Sequence, residues 1–97
     1  MSAGGSRRAA VVTGGATGIG YACSRRLLEC GLDVFLCGRR EHVVEEAVRE
    51  LGRGGSPGTV HGVAADMATP ADPERVVRTC VERYGRIDVL VNNAGIY

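Results

Sequence analysis

A run of closely spaced glycines, Gly14-Gly15-Ala16-Thr17-Gly18-Ile19-Gly20, follows directly on the apolar stretch Ala9-Ala10-Val11-Val12-Thr13. Glycines at such a junction suit a phosphate. The chain can turn sharply at Gly14, Gly18 puts no Cβ between backbone and anion, and Gly20 lets the next helix approach the strand. A helix starting there points free N–H groups and a partial positive charge at a pyrophosphate. The Thr13 and Thr17 hydroxyls can add hydrogen bonds, either to the loop or to a phosphate. The spacing is G-x-x-x-G-x-G, not the G-x-G-x-x-G fingerprint, and no G-K-[ST] follows to make a nucleoside triphosphate loop.

The second group with chemical potential is Gly38-Arg39-Arg40, about 20 residues further on. A site for NAD places an acid here to hold the ribose 2′-hydroxyl. This chain has none at that tip, and Glu41 already belongs to the next helix. Two guanidiniums suit a 2′-phosphate through bidentate bonds or stacking on adenine. The expected cofactor is NADP(H), with Arg39 as main contact and Arg40 as second. The alternative is a solvated basic cap before a helix, though arginines there oppose the helix dipole.

Elements to position these groups are legible in the apolar pattern. Ala9–Thr13, Val34–Cys37, Thr59–Ala65 and Ile87–Val91 read as short buried strands. Helical periodicity runs from about Gly18–Tyr21 to Glu29, with Ile19, Cys23, Leu27 and Cys30 on one face and Gly31 as its stop. A second helix covers Glu41–Leu51, with Val43, Val44, Ala47, Val48 and Leu51 inward. A third starts at Asp72-Pro73, with Asp72 as cap and Pro73 first in the helix. Its inward stripe is Val76, Val77, Cys80, Val81 and Tyr84, and Gly85 ends it. The order β-α-β-α-β-α-β predicts an α/β fold, a Rossmann-type three-layer sandwich with a parallel sheet.

Composition narrows the class. Hydrophobic residues are 44% and charged residues 24% of the 97, as in ordinary globular proteins. The formal net charge of +1 gives no field that would draw the chain to nucleic acid or a membrane surface. No apolar run reaches the length of a membrane span or a signal segment, so a cytoplasmic location is expected. Cys23, Cys30, Cys37 and Cys80 form no C-x-x-C pair and read as buried small hydrophobes rather than a metal or disulfide framework. Four strands leave apolar sheet surface uncovered, which predicts that residues 1–97 are the N-terminal part of a longer protein.

With these pieces in place the chain resembles the N-terminal part of the short-chain dehydrogenase/reductase family. Thr13-Gly14-Gly15-Ala16-Thr17-Gly18-Ile19-Gly20 matches that family's T-G-x-x-x-G-[IL]-G, and Asn92-Asn93-Ala94-Gly95 its N-N-A-G. Asp66, after the third strand, matches its adenine-contacting aspartate. Gly38 stands where NAD-preferring members carry an acid, and Arg39 matches the basic position of many NADP-preferring ones. The loop Arg or Lys that some of the latter carry is absent, Thr17 standing there. Val34–Arg39 and Val81–Val91 also resemble ketoreductases of bacterial aromatic polyketide pathways and 3-oxoacyl-carrier-protein reductases.

The resemblance implies a dinucleotide lying along the glycine turn, Ile19 included. It implies the adenine amino group at Asp66, or alternatively an Asp66 that only caps a turn. It places Asn92, Ala94 and Gly95 along the adenosine side, with Asn92 and Asn93 satisfying nearby backbone groups and Gly95 keeping space for the cofactor. Asp88 reads as a structural charge. The implied activity is reduction of a ketone or 3-oxoacyl small molecule by a homodimer or homotetramer. That chemistry needs an Asn on a helix, a Ser and a Tyr-x-x-x-Lys pair, and these 97 residues contain no lysine. They are therefore expected to supply the cofactor half and no catalytic residue. The alternatives are a non-catalytic dinucleotide-binding or regulatory protein and, more distantly, a methyltransferase with a glycine-rich loop.

Overall fold

The computed structural model describes residues 7–93. Its elements are β1 (Ala9–Thr13), α1 (Gly18–Glu29), β2 (Asp33–Gly38), α2 (Glu41–Gly52), β3 (Val60–Ala64), α3 (Asp72–Tyr84) and β4 (Val89–Asn92). The four strands form one parallel sheet in the order β3-β2-β1-β4. Register pairs Thr13 with both Cys37 and Asn92, and Gly38 with Ala64. Because all strands run the same way, everything that follows a strand emerges on one edge of the sheet.

Alternation along the strands divides the core in two. Val12, Val34 and Leu36 face Leu28 of α1 and Val44 and Leu51 of α2. Val11, Phe35 and Cys37 face Val76 and Cys80 of α3. The fold is therefore a helix–sheet–helix sandwich, with α1 and α2 on one face and α3 on the other. The central strands β1 and β2 are buried throughout except at Gly38, as a sheet covered on both faces requires. The chain changes faces through β3, between α2 and α3, and re-enters the sheet at β4 beside β1, so the strand order reverses beside the glycine turn.

Several local expectations are corrected. The buried face of α1 is Gly20, Ser24 and Leu28, while Ile19 and Cys30 are exposed and Cys23 and Leu27 half-buried. The cause is close packing: α1 meets the sheet through small residues, and Ser24 satisfies its hydroxyl by donating to Gly20 O at 2.9 Å. On α3, Val76 and Cys80 are buried, but Val77 and Val81 are exposed. Asp72 is not the cap of α3. Ala71 takes that position in a helical conformation, and Asp72 is the first helical residue. Strand bounds also differ from the apolar runs: β2 gains Asp33 and Gly38, β3 loses Thr59 and Ala65, and β4 runs from Val89 to Asn92.

Polar ties hold the sheet edges. Arg83 can only donate to His61 Nε2, 3.1 Å away, so the other ring nitrogen carries the proton. His61 Nδ1–H then donates to Tyr84 Oη at 2.8 Å, and Tyr84 donates to Val34 O at 3.2 Å. Burial, then the Arg83 charge, pull the His61 pKa down, and burial pushes the Tyr84 phenol up to about 12. Both rings stay neutral, which this chain of bonds requires.

At the opposite edge Asp88 takes a fork from Arg86, both contacts 2.7 Å, and accepts the Ala9 N–H at 2.9 Å. The Arg86 bonds first, then the Ala9 N–H, hold its pKa below the ordinary 3.8. A depressed carboxyl contributes stability in full above its unfolded value and loses it as pH falls through the folded one. The stability advantage of wild type over Asp88→Asn is thus expected to be constant near neutral pH and to shrink below about pH 4. Urea midpoints of the two proteins across that range check it, and a pH-independent difference would contradict it.

Candidate functional site

The parallel sheet brings four sequence features to the same edge: the glycine turn after β1, Arg39 and Arg40 after β2, Asp66 after β3, and Asn92 and Asn93 at the end of β4. Ala94 and Gly95 lie outside the described residues.

The turn is shaped by steric necessity. A Cβ on Gly20 would sit 2.0 Å from Gly14 O and 2.8 Å from Asn93 Nδ2, so α1 can start this close to β4 only without a side chain there. Gly18 is different: its φ is +57°, and a Cβ there would meet nothing within 4 Å. The space beside Gly18 is open, and the backbone there takes the left-handed conformation that glycine tolerates. Gly15, not singled out by its sequence position, is also required. Its Cβ would fall 2.7 Å from Leu36 Cβ, and its N–H donates to Cys37 O at 3.1 Å, closing the turn onto β2.

What the turn presents is a bare helix terminus. The first helical bond runs from Tyr21 N–H to Thr17 O at 3.1 Å. The N–H groups of Gly18, Ile19 and Gly20 have no acceptor among the described residues, as expected of a first turn. Thr17, extended at the cap position, makes no side-chain capping bond. No acid sits in the first turn of α1, whereas α2 begins with Glu41 and α3 with Asp72 and Glu74. Three donors and an unopposed dipole facing open space fit a pyrophosphate.

Of the two uses open to the Thr13 hydroxyl, the structure shows the internal one. It is buried, accepts the Asn93 N–H at 2.8 Å, and lies 3.1 Å from Asn92 Oδ1 and 3.4 Å from Val91 O. Asn93 Nδ2 reaches Gly14 O at 3.4 Å. Thr13 and Asn93 therefore tie the turn to β4. Asn93 thus satisfies a backbone group of the turn, a contact that arises because β4 lies beside β1.

Arg39 and Arg40 are exposed, and neither forms an ion pair among the described residues. Gly38 keeps the β2 tip against the turn: a Cβ there would come 3.3 Å from Val44 Cγ2 and 3.7 Å from Ala16 Cβ. Asp66 is half-buried in a turn, its Oδ1 accepting the Ala68 N–H at 3.0 Å and its carbonyl the Thr69 N–H at 2.9 Å. The turn-capping use of this carboxylate is thus present through one oxygen, while Oδ2 has no partner among the described residues. A shallow groove beside α2, lined in part by Val44, Val48 and His61, includes none of these residues. The candidate site is an open edge rather than a closed cavity.

The sequence profile of the short chain dehydrogenase family matches residues 8–97. The chain belongs to that family. Within it, the chain is 45% identical over 86 residues to a ketoacyl reductase assigned to the granaticin polyketide synthase of Streptomyces violaceoruber, covering 89% of this chain and 31% of that protein. It is 34% identical over 89 residues to the 3alpha-hydroxysteroid dehydrogenase of Mediterraneibacter gnavus, covering 92% of this chain and 36% of the other. The fold superposes on a crystal structure of an actinorhodin polyketide ketoreductase variant with NADPH at a TM-score of 0.89 and 40% identity, over 95% of this chain and 34% of that one. The L-sorbose reductase of Gluconobacter frateurii, complexed with NADPH and L-sorbose, gives 0.86 and 36% identity, over 93% and 34%. The chain spans about a third of the length of these family members. No helix among the described residues is long and apolar enough to cross a membrane.

Proposed function

We propose that the protein is an NADP(H)-dependent oxidoreductase that reduces a ketone or 3-oxoacyl small molecule to an alcohol. The observation that carries this reading is the bare N-terminus of α1 beside a β2 tip that ends Gly38-Arg39-Arg40, both on one edge of a parallel sheet. Two family members of similar fold, a polyketide ketoreductase and a sorbose reductase, are described with NADPH.

The residues divide the work by position. The N–H groups of Gly18, Ile19 and Gly20, with the Thr17 hydroxyl, bind the pyrophosphate. Arg39 takes the 2′-phosphate through a bidentate pair, and Arg40 adds a second charge. Asp66 Oδ2 accepts from the adenine amino group. Asn92, Ala94 and Gly95 line the adenosine side, and Thr13 holds the turn in place. When bound, the reduced nicotinamide supplies the hydride. The proton donor is assigned to no residue of these 97. A homodimer or homotetramer and a cytoplasmic location complete the proposal, both resting on the family resemblance.

The full-length protein, mixed with NADPH and a panel of ketones and 3-oxoacyl thioesters, is expected to consume NADPH with formation of the alcohol. Tight NADPH binding without turnover on any carbonyl would favour a non-catalytic dinucleotide-binding role instead.

A further inference from the structure

We infer that Asp72 and Arg75, in the first turn of α3, are positioning residues for the adenine side of the site and act through Asp66. The inference rests on the proposed placement of adenine at Asp66. The Asp66 backbone N–H donates to Asp72 Oδ2 at 2.8 Å. The other oxygen of the same carboxylate lies 3.5 Å from Arg75 Nε. Arg75 Nη2 in turn donates to Ala64 O at 2.9 Å, at the last residue of β3. One carboxylate–guanidinium pair thus braces both ends of the Ala64–Asp66 segment. Between them, the Ala65 N–H donates to Gly38 O at 2.8 Å and fixes the segment to the β2 tip that carries Arg39.

This use of Asp72 is specific. An acid in the first turn of a helix gains from the dipole without touching anything else. Here it makes no capping bond to its own helix and instead reaches back six residues to Asp66. That N–H bond, ahead of Arg75, holds the Asp72 carboxyl below its ordinary pKa, so the brace remains charged at neutral pH. With its backbone held by Asp72 and its Oδ1 held by Ala68, Asp66 presents Oδ2 in a fixed direction. A carboxylate that must accept one hydrogen bond from a ligand needs that restraint.

The test is a double-mutant cycle in the full chain, read by calorimetric titration with adenosine 2′,5′-bisphosphate, which carries the adenine and 2′-phosphate but no reacting group. Asp72→Ala is expected to weaken binding about fivefold when Asp66 is present. In an Asp66→Ala background it is expected to change binding by less than about twofold, because the group it positions is gone. Asp72→Asn keeps an acceptor for the Asp66 N–H but loses the charge toward Arg75, and is expected to fall between wild type and Asp72→Ala. It also serves if Asp72→Ala fails to fold. Equal losses in both backgrounds would show a general structural effect and overturn the inference. Wild-type affinity in Asp72→Ala, with Asp66→Ala weakened, would overturn this inference alone. Failure of the wild-type chain to bind the probe would overturn the adenine site itself and this inference with it.

Discussion

Gly20→Ala is expected to destabilise the protein by roughly 3 kcal/mol, the upper end of what overpacking costs. The added methyl would lie 2.0 Å from Gly14 O and 2.8 Å from Gly14 C, both backbone atoms at the tightest point of the turn. No side-chain rotation relieves such a contact. Relief would require α1 to withdraw from the sheet, opening the packing of Ser24 and Leu28 beneath it. Gly52→Ala, at the end of α2, is the control. Its Cβ would find only Val60 Cγ1 at 3.9 Å, so it should be neutral or stabilising by up to about 1 kcal/mol. Urea denaturation of the three proteins checks the contrast. Equal midpoints for wild type and Gly20→Ala would show that the turn is not packed as described.

Gly18→Ala is expected to behave in the opposite sense. Nothing lies within 4 Å of the added Cβ, so the penalty in stability is confined to the left-handed φ of +57°, about 1 kcal/mol. The same methyl would stand in open space at the start of α1, where the pyrophosphate is proposed to lie. Hydrogen bonds to a charged partner contribute about 1.5–3 kcal/mol each. Losing one or two should weaken NADPH binding on the order of 100-fold. The pair of variants separates the two uses of glycine in one turn, Gly20 for packing and Gly18 for the ligand. Undiminished NADPH affinity in a folded Gly18→Ala protein would remove the pyrophosphate from this position.

The alternation of elements was legible because glycines and short apolar runs mark it so plainly. Ala9–Thr13 and Val34–Cys37 are strands for the reason their composition suggests, burial on both faces. The face of α1 was not legible. A hydrophobic stripe selects Ile19, Cys23 and Leu27, whereas the sheet is met through Gly20 and Ser24, residues that periodicity scores as neutral. The exposure of Val77 and Val81 is likewise not encoded in the period of α3, which puts them on one stripe with Val76 and Cys80.

At the site, the residues following each strand could be named from spacing and family resemblance, because a parallel sheet must deliver them to one edge. Their partners could not. Asp72 reads as a helix cap by type and position, yet bonds to Asp66 across a turn whose course depends on tertiary packing. The Thr13 hydroxyl could serve the ligand or the loop, and its bond to Asn93 arises only from the adjacency of β1 and β4. Gly15 is hidden among its neighbours, since its necessity arises from Leu36 on another strand.

The central claim is that the glycine turn and the Arg39 tip together form a site for a 2′-phosphorylated dinucleotide. The most direct measurement is titration of wild-type and Arg39→Ala protein with NADPH and with NADH. Wild type is expected to bind NADPH more tightly, and Arg39→Ala to lose roughly 10- to 100-fold toward NADPH while NADH affinity stays within about twofold. Equal affinity of wild type for both dinucleotides, or an Arg39→Ala variant that weakens both alike, would contradict it.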